Sequence, residues 1–181
     1  FLGLIDLCIE RYFPCPEHYR KNGALYFSFY NPWGFIEKVG RDKAKAAFAE
    51  ARRRVRSAGL GEIHFNAQNV PPALTAKFAA LGVDSMTDYG FNAYCVPNAT
   101  KRYAAGEKLF DFGEIDGPLQ KHWKEMREKS PVPYIPIVPT GWDATLRCRK
   151  DVKFPWGPKV DYPYCATFTN ANDRLFEKYL R

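Results

Sequence analysis

Apolar residues near the start of the chain fall at Leu4, Ile5, Cys8 and Ile9, the spacing of one face of a short helix, and Pro14 and Pro16 close that segment. Asn22-Gly23 is a turn signal leading into Ala24 to Tyr30, which is apolar nearly throughout, as expected of a strand covered on both faces. Asn31-Pro32-Trp33-Gly34 reads as a polar and aromatic loop. From Arg41 to Ala58 the stripe Ala44, Ala47, Phe48, Ala51, Val55 and Ala58 predicts a helix, with Gly59 placed to cap it. Glu62 to Gln68 alternates Ile63, Phe65 and Ala67 with His64, Asn66 and Gln68, a strand whose polar set points away from the covering helices. Pro71-Pro72 opens a helix bearing Leu74, Phe78 and Leu81, Gly82 stops it, and a strand from Val83 to Tyr89 follows.

Periodicity lapses from Val96 to Gly117, where Pro97, Gly106, Gly113 and Gly117 interrupt short apolar pieces and predict a long loop insertion. Leu119, Trp123 and Met126 mark a helix from Pro118 to Lys129, which leads into the apolar run beginning at Tyr134. That run breaks at Gly141 into Trp142, Asp143, Thr145 and Arg147, and it reads as a strand ending in a site, although Pro136 inside it counts against a central strand. Pro155 to Pro158 and Tyr162 to Tyr164 form an irregular aromatic loop, and Leu175, Phe176, Tyr179 and Leu180 mark a final helix. Four strand-then-helix units in succession, with polar groups after each strand, predict an α/β fold. The expectation is a partial (β/α)8 TIM-like barrel of about four β-α units, with its active face at the strands' C-terminal ends. A complete barrel has about 250 residues, so 181 make roughly half of one. A small doubly wound sheet is the alternative. No glycine-rich phosphate loop follows any strand, so no nucleotide cofactor is implied.

Composition changes this picture little. With 46% hydrophobic residues the chain has enough apolar content for one globular unit, and no run of about 18 apolar residues marks a membrane span. Phe1 in place of an initiator methionine leaves room for an upstream segment. A net charge of +7 raises nucleic acid as a partner, but the densest cluster, Arg52, Arg53, Arg54 and Arg56, shares a helix with an apolar stripe and reads as a solvated face. The expectation is therefore no nucleic-acid partner. Cys8, Cys15, Cys95, Cys148 and Cys165 show no CxxC pairing, and their wide spacing predicts five unpaired thiols. Cys148 lies near the proposed site and reads as a small buried apolar residue. His18 has no partner at metal-ligand spacing, so no metal is implied, and His64 reads as a satisfied structural histidine.

Candidate chemistry gathers at the strand ends: Asn66 after the second strand, Asp88, Tyr89 and Asn92 after the third, and Trp142, Asp143, Thr145 and Arg147 after Gly141. An aromatic face packs on the apolar face of a sugar, while carboxylate and guanidinium groups form charge-assisted hydrogen bonds with hydroxyl and anionic substituents. An ordinary loop with a buried Trp and an Asp–Arg surface pair is the plain alternative. The Gly-Trp-Asp-x-Thr-x-x-Arg pattern after a Pro-rich strand resembles the glycoside hydrolase family 99-like proteins, including those named WbsX and labelled glycosyltransferases. Asn22 to Pro32, a glycine and then an apolar strand ending at Asn-Pro, and Thr169 to Arg181, a helix after the Trp-Asp motif, are similar to further stretches of that family.

The resemblance implies a carbohydrate-active domain that acts on glycosidic bonds; Trp142, Asp143 and Arg147 of the motif, together with Asp88, Tyr89 and Asn66 from their strand-end positions, are expected to bind carbohydrate substrate. It places the acid and base in an Asn-Glu-Trp-x-Glu segment after the last helix, which no residues of this chain match. Glycoside chemistry ordinarily needs two carboxyl groups flanking the bond, so the catalytic residues stay unassigned and Asp143 and Asp88 are expected to bind rather than transfer protons. A glycosyltransferase of surface-polysaccharide biosynthesis and a non-catalytic glycan-binding module are the alternatives. Half a barrel would expose open sheet edges, so self-association, or completion by further chain, is expected.

Overall fold

The computed structural model describes residues 1–90, 96, 101–102, 105–143, 145–147, 149–151 and 167–181, excepting the Arg147 side chain. These form two compact units, Phe1–Tyr89 with Glu125–Pro136, and Gly90–Lys124 with Ile137–Arg181.

The first unit begins with helix α1 (Leu2–Arg11), then a short hairpin of β1 (Arg20–Lys21) and β2 (Ala24–Phe29). Asn22 and Gly23, both with positive φ (51° and 82°), make its two-residue turn, the backbone that Asn-Gly supplies most readily. After β2 come α2 (Pro32–Val39), α3 (Arg41–Ser57), β3 (Ile63–Gln68), a 3-10 turn (Pro72–Leu74), α4 (Thr75–Ala79) and β4 (Ser85–Thr87). The last strand of this sheet, β6 (Tyr134–Ile135), enters after residues of the second unit. Strand order is β1-β2-β3-β4-β6, antiparallel at the first pair and parallel at the other three.

Alternation along β3 decides which face is the core. Ile63, Phe65 and Ala67 are buried together with Leu25 and Met86 against Phe48, Ala51 and Val55 of α3 and Ile5 and Cys8 of α1. Aromatic rings dominate this layer: Phe65 lies 5.0 Å from Phe48 edge-on, Phe48 lies 5.2 Å from Phe29, and Phe1 fills the space between Phe29 and Phe35. Burying each such side chain contributes about 1.5–3 kcal/mol.

Arg52 of α3 ties this helix to two strands. Its guanidinium donates to Ile63 O (2.6 Å), Gly82 O (2.5 Å) and the Asp84 carboxylate (2.8 Å), and lies 4.8 Å over the Phe65 ring. Its neighbours are also engaged: Arg53 and Arg54 bind Glu50, Arg54 binds Asp6, and Arg56 binds Glu62. Hydrogen bonds from Arg53 and then Arg54 hold the Glu50 carboxyl down to about 2. Arg52 thus departs from the solvated face expected of the arginine cluster, because its strand-end carbonyls and Asp84 need a planar multi-donor group.

The second unit holds β5 (Leu109–Asp111), paired in parallel with β7 (Thr167–Thr169), a 3-10 turn (Phe112–Ile115), the first part of α5 (Asp116–Lys129) and α6 (Asp173–Leu180). Phe112 packs on Phe168 and Tyr179, Trp123 packs on Tyr179, and Lys178 of α6 pairs with Asp116 of α5 at 2.5 Å. Arg102 binds Glu107 and Glu114 and covers the Phe110 ring at 4.7 Å.

Several expectations need correction. The fold is mixed α/β, but a partial TIM-like barrel of about four β-α units is not what these strands build. One edge strand is antiparallel, β5 and β7 form a separate two-stranded sheet, and no helix of the first unit follows β6. The strand at Tyr134 stops after two residues because Pro136 has no N–H for the ladder. Strand order runs with the sequence, so the doubly wound alternative lacks its topological switch point as well. β2 is fully buried only at Leu25 and is otherwise half-buried, not covered on both faces. Asn31 to Gly34 starts a helix: the Asn31 side chain accepts from Gly34 N–H at 2.9 Å, and Pro32 occupies the first helical position. The expected 96–117 loop contains β5. The aromatic loop at 155–164 lies outside the described residues, as do Cys95, Cys148 and Cys165, while Cys8 and Cys15 are free thiols.

Replacing Arg52 by Ala removes a donor from two carbonyls and from Asp84, whose carboxylate keeps its bond from Phe65 N–H, and the first unit is expected to lose about 2–3 kcal/mol. Arg52→Lys should recover part of it. The check is the urea midpoint, with an unchanged midpoint for Arg52→Ala showing that the hub contributes nothing.

Candidate functional site

The face of the first unit's sheet opposite the aromatic layer carries a polar row. Ser28 of β2 aligns with Asn66 of β3, and Asn66 aligns with Ser85 of β4, by strand register. Equal parity places Tyr26, Ser28 and Tyr30, His64, Asn66 and Gln68, and Ser85, Thr87 and Tyr89 on this one face.

Within the row the side chains bond one another in sequence. Gln68 Nε2 donates to Ser28 Oγ (2.8 Å), Ser28 Oγ to Asn66 Oδ1 (2.9 Å), and Asn66 Nδ2 to Ser85 Oγ (2.8 Å). Ser85 Oγ lies 2.7 Å from His64 Nε2, and the Tyr26 ring stacks on the imidazole at 5.6 Å. Asn66 and Ser85 are wholly buried. At the far end, Gln68 Oε1 is sealed from solvent and accepts no hydrogen bond among the described residues. A buried acceptor in that state costs about 1–3 kcal/mol until a donor reaches it.

Aromatic surface stands at the same strand ends. Tyr30 and Tyr89 are 61% and 54% exposed, and their rings meet edge-to-face at 4.8 Å. Because β3 lies between β2 and β4, this pair bridges the end of β3. Asn69, at φ 57°, holds the arrangement, with its carboxamide oxygen accepting from Tyr89 N–H (2.8 Å) and its own N–H donating to Thr87 O (2.9 Å). Asp88 is buried at 4% exposure and accepts from the Tyr134 hydroxyl.

Burial lowers the His64 pKa; Asp84 opposes this, while Lys21 and Arg52 add to it. The ring therefore favours its neutral form, and what it contributes to stability is present above the ordinary histidine range and lost as pH falls through the folded pKa. Burial likewise raises the Tyr26 phenol.

The Gly141 stretch belongs to the second unit. Gly141 has φ 105°, and a Cβ there would lie 3.1 Å from Ala171 Cβ, so both backbone and space require glycine. Trp142 is half-buried and its carbonyl accepts from Phe168 N–H at 2.8 Å, which anchors the stretch to β7. The exposed Asp143 accepts from Thr145 Oγ1 (2.7 Å) and Thr145 N–H (2.8 Å), holding the 3-10 turn Thr145–Arg147, and these bonds lower its pKa. Beside it opens a cleft of about 240 Å³ lined by Phe112, Thr140, Ala171, Asn172, Asp173 and Phe176.

Of the six residues expected to bind substrate, Asn66, Asp88 and Tyr89 thus lie in the first unit and Trp142, Asp143 and Arg147 in the second. Sequence reading missed Ser28, Ser85 and Tyr30. Strand register, which the sequence does not supply, is what brings them to the face of Asn66 and Tyr89. Among the described residues, no three His, Cys, Asp or Glu side chains gather as a metal site requires, and no helix is long and apolar enough to cross a membrane.

Gly141→Ala should destabilise the second unit by about 1–3 kcal/mol through its backbone alone, and Ala171→Gly in the same chain should restore only the steric part. Thermal unfolding of the single and double variants checks this. Thr145→Val should raise the Asp143 pKa part of the way toward its ordinary 3.8, since the backbone donor remains. Carboxyl NMR titration reads the shift, and an unmoved pKa would show that the hydroxyl bond does not hold the charge.

The comparisons with known proteins add no relative: no family model, no curated protein and no solved structure matches this chain.

Proposed function

We propose that the chain is a carbohydrate-binding domain whose site lies at the ends of β2, β3 and β4. The observation that carries this reading is the exposed Tyr30–Tyr89 pair bridging the end of β3, beside a hydrogen-bonded amide and hydroxyl row that ends in the unfilled acceptor of Gln68. Sugar rings need this combination, an aromatic surface for their C–H faces and neutral polar groups for their hydroxyls. Surface tyrosines in contact and a self-satisfied polar row are the plain alternative, and binding measurements separate the two.

The resemblance to family 99-like proteins supports the same ligand class and adds glycosidic-bond chemistry, with transfer from an activated donor as the other reaction. No Asn-Glu-Trp-x-Glu segment occurs in the 181 residues, so recognition is the step assigned to this chain. Trp142, Asp143 and Arg147 are carried as further sugar contacts on that resemblance; the cleft beside them, with two phenylalanine rings and polar Thr140, Asn172 and Asp173, is consistent with it.

Tyr89→Ala is expected to weaken binding of oligosaccharides found by array screening about five- to tenfold, with thermal stability unchanged. Calorimetric titration is the measurement. Unaltered affinity in Tyr89→Ala and Gln68→Ala, or a wild-type chain that retains no glycan, would sink the reading.

A further inference from the structure

We propose that His64 sets the hydrogen-bonding polarity of Gln68 through the chain Ser85–Asn66–Ser28, making it a positioning residue that decides whether the site offers a ligand an acceptor or a donor. This rests on the binding reading for its relevance to a ligand, but its physical content stands on the row itself.

Donor and acceptor counting gives the direction. Ser85 Oγ accepts from Asn66 Nδ2, so its single proton needs an acceptor, and His64 Nε2 at 2.7 Å is the one in contact among the described residues. The ring is then the neutral tautomer with its proton on Nδ1. Asn66 in turn has its amide nitrogen on Ser85 and its oxygen receiving Ser28. Ser28, having given its proton to Asn66, takes one from Gln68 Nε2. The Tyr26 hydroxyl also reaches Ser28 and, with the Ser28 proton on Asn66, serves as a donor to it, so Gln68 is left with Oε1 as its unfilled group. The row therefore ends in an acceptor that is sealed from solvent, and a ligand hydroxyl or N–H reaches it only when the groups covering it move aside, while an analogue with fluorine or an ether oxygen there is rejected.

Protonation of His64 reverses the order. The ring takes one proton at Nε2, and that N–H now donates to Ser85 Oγ. The Ser85 hydroxyl hydrogen rotates toward Asn66, whose amide turns to receive it on Oδ1. Asn66 Nδ2 donates to Ser28, and Ser28 donates to Gln68 Oε1, leaving Gln68 Nε2 as the group presented. Only one proton is taken up; every other hydrogen stays on its own atom. The Tyr26 ring from β2 and Ser85 of β4 touch His64, and the charges that act on it are Lys21 from β1, Arg52 from α3 across the sheet, and Asp84 beside Ser85. Asp84 favours the protonated ring; burial, Lys21 and Arg52 oppose it, so the inverted state belongs to pH below the ordinary histidine range.

The test is NMR of the ligand-free chain across a pH titration. Ring nitrogen shifts of His64 should report the Nδ1–H tautomer at neutral pH, and the Gln68 side-chain NH2 resonances should move with the same midpoint as His64. Ser85→Ala should abolish the Gln68 shift while His64 still titrates, and Ser85→Thr, which keeps the hydroxyl, should retain it. A neutral Nε2–H tautomer, or Gln68 resonances that ignore His64 in the wild type, would overturn the proposal. So would a Gln68 shift that persists in folded Ser85→Ala. If Ser85→Ala does not fold, the wild-type and Ser85→Thr titrations decide by the same criterion. Because no glycan enters the experiment, its failure leaves the binding reading intact, and an absence of glycan binding leaves this result intact.

Discussion

The register between β3 and β4 is the constraint on which the site depends, and Asp84 holds it. Its N–H donates to Phe65 O, its carboxylate accepts from Phe65 N–H, and the same carboxylate takes Arg52, each at 2.8 Å. Those bonds set Asn66 opposite Ser85. A slip by one residue would bring Met86 opposite Asn66, turn a thioether into the polar row and withdraw it from the core. Arg52 makes the arrangement rigid because its other donors are used on carbonyls of both flanking segments, Ile63 and Gly82. The ion pair is half exposed, at 19% and 37% of the side chains, so its value lies in geometry more than in Coulomb energy.

Beneath the polar row, the phenylalanine layer fixes where the strand ends can go. Phe29 is held by Phe48, Phe35 and Phe1, and Phe65 by Phe48 and Phe1, and rings tilted, edge-on or stacked at about 5–6 Å allow little sliding without loss of contact. Alternation then puts the next residue on the other face at each step. The position of Ser28 between Phe27 and Phe29 therefore follows from core packing, as does the placement of Asn66 between Phe65 and Ala67. The polar chain is built on the reverse side of this aromatic layer.

How much of this was legible varies by element for physical reasons. α3 and β3 were readable because long stripes and clean alternation leave one face for burial. Asn66 was found by that alternation, and His64 was rightly taken as hydrogen-bonded. Ser28 and Ser85 were not found, since a lone serine in an apolar strand has no signal until register supplies its neighbour. α2 was missed because Asn-Pro reads equally as a turn and as a helix start, and only the N-cap bond distinguishes them. β5 and β7 are three residues each, too short for any period to appear. The barrel expectation failed because local strand-then-helix order does not determine which sheet a strand joins. Asp88 and Trp142 fall in different compact units, a division that sequence position after a strand does not reveal.

Charge is the last feature that separates net composition from local chemistry. The chain carries +7, yet Arg52, Arg53, Arg54, Arg56 and Arg102 are each engaged with carboxylates of the chain itself. At the strand ends of the first unit the groups presented are tyrosine, serine, asparagine, glutamine and a histidine that burial keeps neutral, while Asp88 is buried against Tyr134. An anionic ligand brought there would lose hydration without meeting a counter-charge among these groups, and an uncompensated charge is far costlier to desolvate than a hydroxyl. Neutral hydroxylated ligands meet no such barrier, since a hydroxyl is far cheaper to desolvate than a charge. The internal ion pairs leave the net charge at +7, since each sets a carboxylate against a cation, so the excess positive charge lies on other residues and the polar row itself stays neutral.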